Sequence, residues 1–294
     1  MSGEGSGDEG REPPRVRIAE PPGSLPPPDP EPKEAEPSPT DRLKEAPVTA
    51  AIIAINIAVF AWASTTGSTQ SNGVLLKFGA VEPLHVWMGQ YWRIATCMWM
   101  HIGILHLSMN MYFGAGWCAL VEKVLGKWRF LAVYLVSGIA GGAVSVLGAW
   151  LRGKGHISAG ASGAIFGTIG AVFMLRLANL GSVKKLVSDP FFRGTAFRLG
   201  IWTLLGVYLQ IDNFAHFGGL VFGAASTWLF VKRVSVVKWA AFGAVFLAVV
   251  LVAMRPGHEV TRDDGCRLYP ELCEKMTPGV IDPDPEPAPS SPAP

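Results

Sequence analysis

Seven apolar runs divide the chain into segments that are long enough, or nearly long enough, to cross a lipid bilayer. A transmembrane helix needs about 20 apolar residues to span the hydrocarbon core. The runs cover residues 48–63, 104–121, 130–150, 157–174, 196–209, 214–231 and 239–254. The fifth run is short, so the pattern fixes its start only to within several residues. The spacing predicts an all-α, polytopic membrane helical bundle.

The connection between the first two runs, residues 64–103, is long. It contains Trp87, Trp92 and Trp99, and tryptophan favours the boundary between the hydrocarbon and water. We therefore expect a long first loop that lies in the membrane interface.

Both ends of the chain differ in composition from the centre. Residues 1–47 contain 12 of the 23 prolines, and residues 255–294 contain nine, so both ends are predicted to be disordered. No short apolar run with a basic start precedes Pro47, so a secretory signal is not expected. Residues 1–46 should therefore form a Pro/Glu-rich cytoplasmic tail, which we interpret as a spacer rather than a docking segment.

Charge separates the same three segments. The central 207 residues carry only 19 of the 48 charged residues, with 15 basic and four acidic, while the two ends together have a net charge of −9. A stretch of this length with so few charges is not a soluble domain. The composition also excludes a nucleic-acid binder and a disulfide-rich secreted module.

The placement of lysine and arginine predicts the orientation, because loops on the cytoplasmic side are enriched in these residues. With a cytoplasmic N-terminus, 11 basic residues lie inside and four outside, and the reversed topology exchanges these numbers. The C-terminus then lies outside. We expect residues 47–231 to form a six-helix core, residues 232–254 a seventh transmembrane helix, and residues 255–294 a Pro-rich outer tail. The four outer basic residues are Lys77, Arg93, Arg152 and Lys154.

In this topology spans 2, 4 and 6 all begin on the outer side, and each begins with polar residues. Span 2 opens with His106 and Asn110, which project from one helix face because they are four residues apart. Span 4 opens with Ser162 between glycines, and span 6 carries His216. We expect Ser162 and His216 to lie a few residues below their loops, at matching depth.

A serine and a histidine at equal depth in neighbouring helices are typical of nucleophilic catalysis with histidine as the general base. Each feature alone has a simpler interpretation: a membrane serine bonds to its own backbone, and glycine stripes mean helix packing. Three polar groups on one side favour catalysis instead. The glycines that would let the helices approach are Gly160, Gly163, Gly167 and Gly170 on span 4, and Gly219 and Gly223 on span 6.

At this level of detail the chain resembles the rhomboid intramembrane serine proteases, from about residue 50 to residue 226. Glu122 is similar to a structural glutamate of that family at the inner end of the second helix. The other matching motifs are Trp92-Arg93, His106-x-x-x-Asn110 with His101 before it, Gly160-Ala161-Ser162-Gly163, and Ala215-His216-x-Gly-Gly-x-x-x-Gly.

The resemblance implies a Ser–His dyad without a third carboxylate. Ser162 would attack the scissile carbonyl, and His216 would accept its proton. The Ser162 N–H and the side chains of His106 and Asn110 would stabilise the oxyanion. Some relatives have tyrosine four residues after the nucleophile, where this chain has Phe166. Structural support of the site would come from Trp92, Arg93, Gly160, Gly163, Phe166 and Gly219.

The remaining polar residues are interpreted as structural. Asp212 lies one turn before His216, and we favour an N-cap over a triad carboxylate. Three further histidines, His85, His101 and His156, are assigned to outer loops with interfacial or structural roles.

The four cysteines fall into two pairs. Cys97 and Cys118 are expected to act as small apolar residues. Cys266 and Cys273 follow span 7, on the outer side where disulfides can form, and the sequence leaves open whether they are bridged.

Three other functions fit the sequence less well. A transporter or channel needs charged or discontinuous elements at mid-membrane, and the spans have almost no charge there. A membrane zinc protease would show His-Glu-x-x-His, whereas His101 and His106 are five apart with no glutamate between them. An inactive rhomboid-like protein that escorts membrane clients would lack the serine, the histidine or both, and this chain has both.

The sequence thus predicts an intramembrane serine endopeptidase that needs no cofactor, metal or nucleic acid. Its partners would be the lipid bilayer and single-pass transmembrane proteins, cut near the outer end of their helix. Glycine, alanine, serine or proline near the cut should help, because they expose peptide bonds that a regular helix shields. The cell (inner) membrane is the favoured location, and a eukaryotic secretory membrane also fits.

Overall fold

A computed structural model describes residues 43–152, 155–209, 211–232 and 234–255. Within these ranges every regular element is helical, apart from one isolated bridge between Val81 and Ser158. The predicted N-terminal tail lies outside the described residues except for residues 43–46. The predicted C-terminal tail, with Cys266 and Cys273, lies outside them except for Arg255.

The predicted all-α membrane bundle is confirmed. Six described helices are long and apolar enough to cross a membrane, so the chain is an integral multi-pass membrane protein. They are α1 (Pro47–Ser64), α5 (Gly103–Leu125), α6 (Lys127–Arg152), α7 (Ser162–Leu180), α10 (Asn213–Lys232) and α11 (Val236–Ala253). We use "loop end" for the end of the bundle at which α5, α7 and α10 begin.

The predicted fifth span is also helical, but it is not one of those six. This helix, α9 (Pro190–Tyr208), has 19 residues and begins six residues before the predicted start. Asp189 sets that start, because its side chain accepts a hydrogen bond from the Phe192 N–H and Pro190 fits the first helical turn. Arg193 and Arg198 lie in the first half of α9 and make it less apolar than the other long helices.

The predicted start of span 4 at residue 157 is wrong, because α7 begins at Ser162. Gly160 has a φ of +129°, a backbone conformation that a helix cannot contain. Ser158 is also held outside the helix by two backbone hydrogen bonds to Val81, of 2.8 and 2.9 Å. Ser162 is therefore the first residue of its helix rather than several residues below its loop.

Helices α6, α7 and α10 form the packed centre of the bundle. Phe130 and Tyr134 of α6 are fully buried, and they join Val172 of α7 in one apolar cluster. The α7–α10 contact is closer still, because a methyl group at Gly223 would overlap the carbonyl of Gly167. Small residues allow two backbones to approach in this way.

The first loop is folded rather than extended. It contains α2 (Asn72–Lys77), α3 (Pro83–Trp87), α4 (Arg93–Thr96) and a short 3₁₀ helix, Cys97–Trp99. Arg93 is buried, and its guanidinium donates to the carbonyl oxygens of Leu76 at 2.7 Å and Ala80 at 2.9 Å. Trp92 is half exposed, with the Arg93 guanidinium 4.6 Å from its ring centroid. These contacts hold the parts of the first loop together.

Two outer helices are attached by specific contacts. The buried carboxylate of Glu122 accepts hydrogen bonds from the N–H groups of Val48 and Thr49 and from the Thr49 hydroxyl, at 2.7–2.9 Å. These bonds satisfy N–H groups at the start of α1 that have no partner within the helix. At the other edge, the Trp87 Nε1–H donates to the carbonyl oxygen of Ala253 at 3.2 Å, which joins the end of α11 to the first loop.

One further short helix, α8 (Val183–Ser188), connects α7 to α9. Arg176 of α7 binds the Asp189 carboxylate through two nitrogens, at 2.6 and 2.7 Å. This pairing with Arg176 is the main cause that lowers the pKa of Asp189. It fastens the start of α9 to the end of the bundle opposite the loop end.

Candidate active site

Ser162 and His216 are in direct contact at the loop end. The Nε2 atom of His216 lies 2.8 Å from the Ser162 Oγ atom, a hydrogen-bond distance. Ser162 is the first residue of α7, and His216 lies in the first turn of α10. The two side chains are half-buried, so the pair lies at the edge of the packed centre and not inside it.

Glycines on both helices make this short distance possible. A methyl group at Gly219 would overlap the carbonyl group of Gly163. On the other side of the pair, a methyl group at Gly141 of α6 would lie 2.9 Å from the Ala215 carbonyl oxygen and 3.4 Å from the Gly163 Cα atom. The three backbones are therefore in contact beside the serine and the histidine, which restricts the separation of the two side chains.

Phe166 fixes the plane of the histidine ring. It lies one turn after Ser162, and its ring stacks on the His216 imidazole with centroids 4.1 Å apart and planes at 5°. The stacking leaves the edge of the imidazole, with Nε2, directed toward the serine. The phenyl ring can do this without a hydroxyl group.

His106 and Asn110 of α5 border the same site from the opposite side. The Nδ1 atom of His106 accepts from the Ile102 N–H at 3.3 Å, so Nε2 carries the proton of the neutral ring. A methyl group at Gly160 would lie 2.9 Å from that Nε2 and 3.8 Å from Asn110 Nδ2. Both groups therefore face the backbone that leads into Ser162.

The Asn110 side chain is itself held in place. Its Nδ2 donates to the His106 carbonyl oxygen at 2.9 Å, which leaves the second N–H of the amide for another acceptor. The N–H of Ser162, in the first turn of α7, is also among those without an intrahelical acceptor. Several donors thus converge on the space beside the serine.

The segment that precedes Ser162 is anchored by the first loop. The Gly160 N–H donates to the Cys97 carbonyl oxygen at 2.9 Å, and the Ala161 N–H donates to His101 Nε2 at 3.3 Å. His101 is fully buried. Burial, followed by the nearby His106, lowers the pKa of His101 to about 3, so the ring stays neutral and remains an acceptor.

The sequence placed His101 in an outer loop with an interfacial or structural role, and it indicated no particular partner for the ring. The contact with Ala161 joins residues 60 positions apart. The available signal was that His101 lies five residues before His106, within a motif of the resembled family. It did not indicate which backbone group the ring would bind.

Asp212 has the geometry of an N-cap. Its Oδ1 atom accepts from the Ala215 N–H at 3.1 Å, and its carbonyl oxygen accepts from the His216 N–H at 3.3 Å. Its other carboxylate oxygen, Oδ2, lies 3.3 Å from His156 Nε2. The carboxylate is thus engaged by groups other than the His216 imidazole.

The arrangement has the components of covalent hydrolysis: a nucleophile, a base in contact with it and converging N–H donors.

Among the described residues, no group of three or more histidine, cysteine, aspartate or glutamate side chains has the spacing of a metal site. Cys97 and Cys118 are buried free thiols, and burial, with a smaller contribution from Asp212, raises the pKa of Cys97 to about 12.

Comparison with known proteins identifies the family. A family profile described as the Rhomboid domain matches residues 88–233. That range contains Ser162, His216, His106, Asn110 and the Trp92-Arg93 pair.

Three curated relatives illustrate the similarity. Rhomboid protease GluP of Bacillus subtilis is 32% identical over 206 residues, which is 70% of this chain and 38% of the relative. RHOMBOID-like protein 6, mitochondrial, of Arabidopsis thaliana is 39% identical over 155 residues, 52% of this chain and 48% of the relative. Rhomboid-type serine protease 2 of Emericella nidulans is 36% identical over 138 residues, 46% of this chain and 26% of the relative.

The matched regions cover about half or less of the length of these relatives. The family profile does cover the part of this chain that contains Ser162 and His216. The chain belongs to the rhomboid family, which includes one relative named as a rhomboid protease and another named as a rhomboid-type serine protease.

Proposed function

We propose that this protein is an intramembrane serine endopeptidase that uses Ser162 and His216 as a catalytic dyad. The observation that carries the proposal is the 2.8 Å contact between His216 Nε2 and Ser162 Oγ. An imidazole nitrogen at that distance can accept the serine proton as the hydroxyl attacks a carbonyl carbon.

The reaction would proceed through an acyl-enzyme. The Ser162 Oγ atom attacks the carbonyl carbon of the substrate, and its proton passes to His216 Nε2. Collapse of the tetrahedral intermediate breaks the C–N bond, and the leaving amine takes the proton from His216. A water molecule then repeats the sequence on the ester, with His216 again as base, and releases the carboxylic acid and free Ser162.

Three donors would stabilise the oxyanion of each tetrahedral intermediate. They are the N–H of Ser162, the His106 Nε2–H and the Asn110 side-chain amide. Their position beside Gly160, immediately before the nucleophile, supports this role. Removal of one such donor costs about 100–1,000-fold in rate in comparable sites.

The substrates would be single-pass membrane proteins. Because the dyad lies at the loop end and not at mid-bundle, the cut would fall near one end of the substrate helix. We place the N-terminus in the cytoplasm and the loop end outside, from the distribution of lysine and arginine. The cell (inner) membrane is the proposed location. Helix-weakening residues near the cut would favour cleavage.

The decisive experiment measures cleavage of a model transmembrane substrate in detergent by the wild-type protein and by Ser162→Ala and His216→Ala. Cleavage by the wild type and loss of cleavage in both of these variants are expected. Ser64→Ala is the matched serine control, because Ser64 is exposed and its hydroxyl donates to its own helix at the Phe60 carbonyl. Equal cleavage by all variants would overturn the assignment of the dyad.

The alternative is a catalytically inactive rhomboid-like protein that binds or escorts membrane clients. The same experiment separates the two functions. Several substrates that the wild type binds but leaves intact would favour the escort function over the protease.

A further inference from the structure

A chain of polar groups joins the end of α6 to the start of α10, beside the proposed catalytic base. The Nη2 atom of Arg152 lies 3.2 Å from His156 Nδ1, and His156 Nε2 lies 3.3 Å from Asp212 Oδ2. Arg152 also donates through Nε to the Gly148 carbonyl oxygen at 3.0 Å. Its guanidinium carbon lies 4.8 Å from the centroid of the Phe214 ring.

The order of the groups fixes the protons. A guanidinium has only donors, so His156 Nδ1 must accept from Arg152 and His156 Nε2 carries a hydrogen toward Asp212. Asp212 Oδ2 faces this hydrogen, with 3.3 Å between it and His156 Nε2, while Oδ1 caps α10 at the Ala215 N–H.

These contacts keep a negative charge in a buried position. Asp212 is only 9% exposed. Burial alone raises the pKa of its carboxyl group, but the interaction with His156, together with Ser145 and Ser158, outweighs burial and holds the pKa well below its usual range. The carboxylate is consequently ionised at every pH at which a histidine base would work.

Asp212 precedes His216 by four residues, one helical turn or about 6 Å along the axis. We propose that Asp212 is a positioning residue for His216: it caps the helix that carries the imidazole, and its charge stabilises the imidazolium formed during proton transfer. Arg152 and His156 hold the carboxylate in place. This inference rests on the proposed function, and it differs from a triad because no hydrogen bond to the imidazole is required.

The groups that surround the two residues come from several elements. His216 is faced by Ser162 and Phe166 of α7 and is within electrostatic range of His106 of α5. The titratable, charged and hydroxyl groups around Asp212 are Arg152 and Ser145 of α6, His156 and Ser158 of the preceding loop, and Cys97 of the first loop. Arg152 and Asp212 are the two charged groups in this set, so their substitution should have opposite effects.

The experiment measures kcat/KM for a transmembrane substrate against pH in wild type, Asp212→Asn and Arg152→Gln. Asparagine caps a helix as well as aspartate, so Asp212→Asn keeps the cap and removes the charge. Its acid limb, which reports protonation of the base, should move to lower pH by about 0.5–1 unit, the effect of one partly screened charge about one helical turn away. Arg152→Gln should move the acid limb to higher pH, by a smaller amount than Asp212→Asn moves it to lower pH.

Asp189→Asn is the matched control. Asp189 is also an N-cap carboxylate paired with an arginine, Arg176, but it lies at the opposite end of the bundle. Its substitution should leave the midpoint of the acid limb unchanged. A shift in Asp189→Asn equal to that in Asp212→Asn would show that the effect is not local and would overturn the inference.

The outcomes distinguish this inference from the proposed function. Wild-type cleavage with superimposable pH profiles for all variants would overturn the role of Asp212 alone. No cleavage by the wild type would overturn the proposed function, and this inference with it. If Asp212→Asn yields no measurable cleavage, the Arg152→Gln profile decides: a shift to higher pH supports the inference, and an unshifted profile overturns it.

Discussion

Gly219 lies so close to the carbonyl group of Gly163 that the space between them cannot hold a methyl group. The contact is one residue after Ser162 and three residues after His216, so it sets the separation of the two helices at the dyad. The 2.8 Å distance between His216 Nε2 and Ser162 Oγ therefore depends on packing between backbones rather than on the two side chains alone.

Gly219→Ala should separate α7 from α10 and reduce cleavage about 100-fold, because a displacement of about 1 Å is enough to misplace reacting groups. Overpacking should also lower the unfolding free energy by about 1–3 kcal/mol. Gly243→Ala is the control, since a methyl group at Gly243 of α11 meets nothing within 4 Å. Cleavage rate and thermal unfolding in detergent measure both effects, and equal losses in the two variants would contradict the explanation.

Phe166→Ala should reduce kcat by about 2- to 13-fold or more. It removes the ring that stacks on His216 at 4.1 Å, and an aromatic pair contributes about 0.5–1.5 kcal/mol beyond its buried area. Phe166→Tyr keeps the ring and should retain kcat within a few-fold. Single-turnover cleavage compares the three proteins, and a tyrosine variant as impaired as the alanine variant would argue against the stacking role.

Trp87→Phe should lower the unfolding free energy by about 1 kcal/mol, because it removes the hydrogen bond from the Trp87 indole to Ala253. Protease accessibility of the first loop should rise at the same time, since this bond joins the loop to the end of α11. Trp128→Phe is the control, as Trp128 is 80% exposed. An unchanged unfolding temperature in Trp87→Phe would show that α11 does not brace the loop.

Stability should fall as the pH is lowered from about 6.5 toward 3. The pKa of His101 is lowered to about 3 by burial and by His106, so the unfolded chain binds a proton in this window that the folded chain does not. The free energy of unfolding then decreases by up to about 1.4 kcal/mol per pH unit. His101→Gln should remove this part of the slope, measured by thermal unfolding at several pH values; an unaltered slope would be inconsistent with a buried neutral ring.

The helical bundle could be predicted because its signal is local. Runs such as 48–63 and 214–231 differ from the observed helices by only one residue at each end. The start of α7 could not be predicted in this way. Apolar residues from Ile157 onward continue the hydrophobic pattern, while the hydrogen bonds of Ser158 to Val81 and the positive φ of Gly160 end it.

The candidate site also contains some features that could be predicted from the sequence and others that could not. The residue types and their spacing indicated Ser162 and His216, and a histidine four residues before Asn110 indicated a shared helix face. The partners of His101, His156 and Arg152 could not be predicted, because other segments contribute them. Asp212 was correctly interpreted as a cap from its position alone, but its contact with His156 depends on a loop 56 residues earlier.

The sequence by itself determined that this chain is a membrane bundle and where most of its long apolar helices lie, and it indicated which serine and histidine could react. Those properties follow from hydropathy and helical periodicity, which depend only on neighbouring residues. The tertiary structure decided the distance between Ser162 and His216 and the donors that face Gly160. It also decided how Arg152 and Asp212 are arranged at the start of α10. These features depend on the contact of glycine backbones and on bonds between distant loops. Packing, and not spacing along the chain, sets the distance between two side chains to within a few tenths of an ångström.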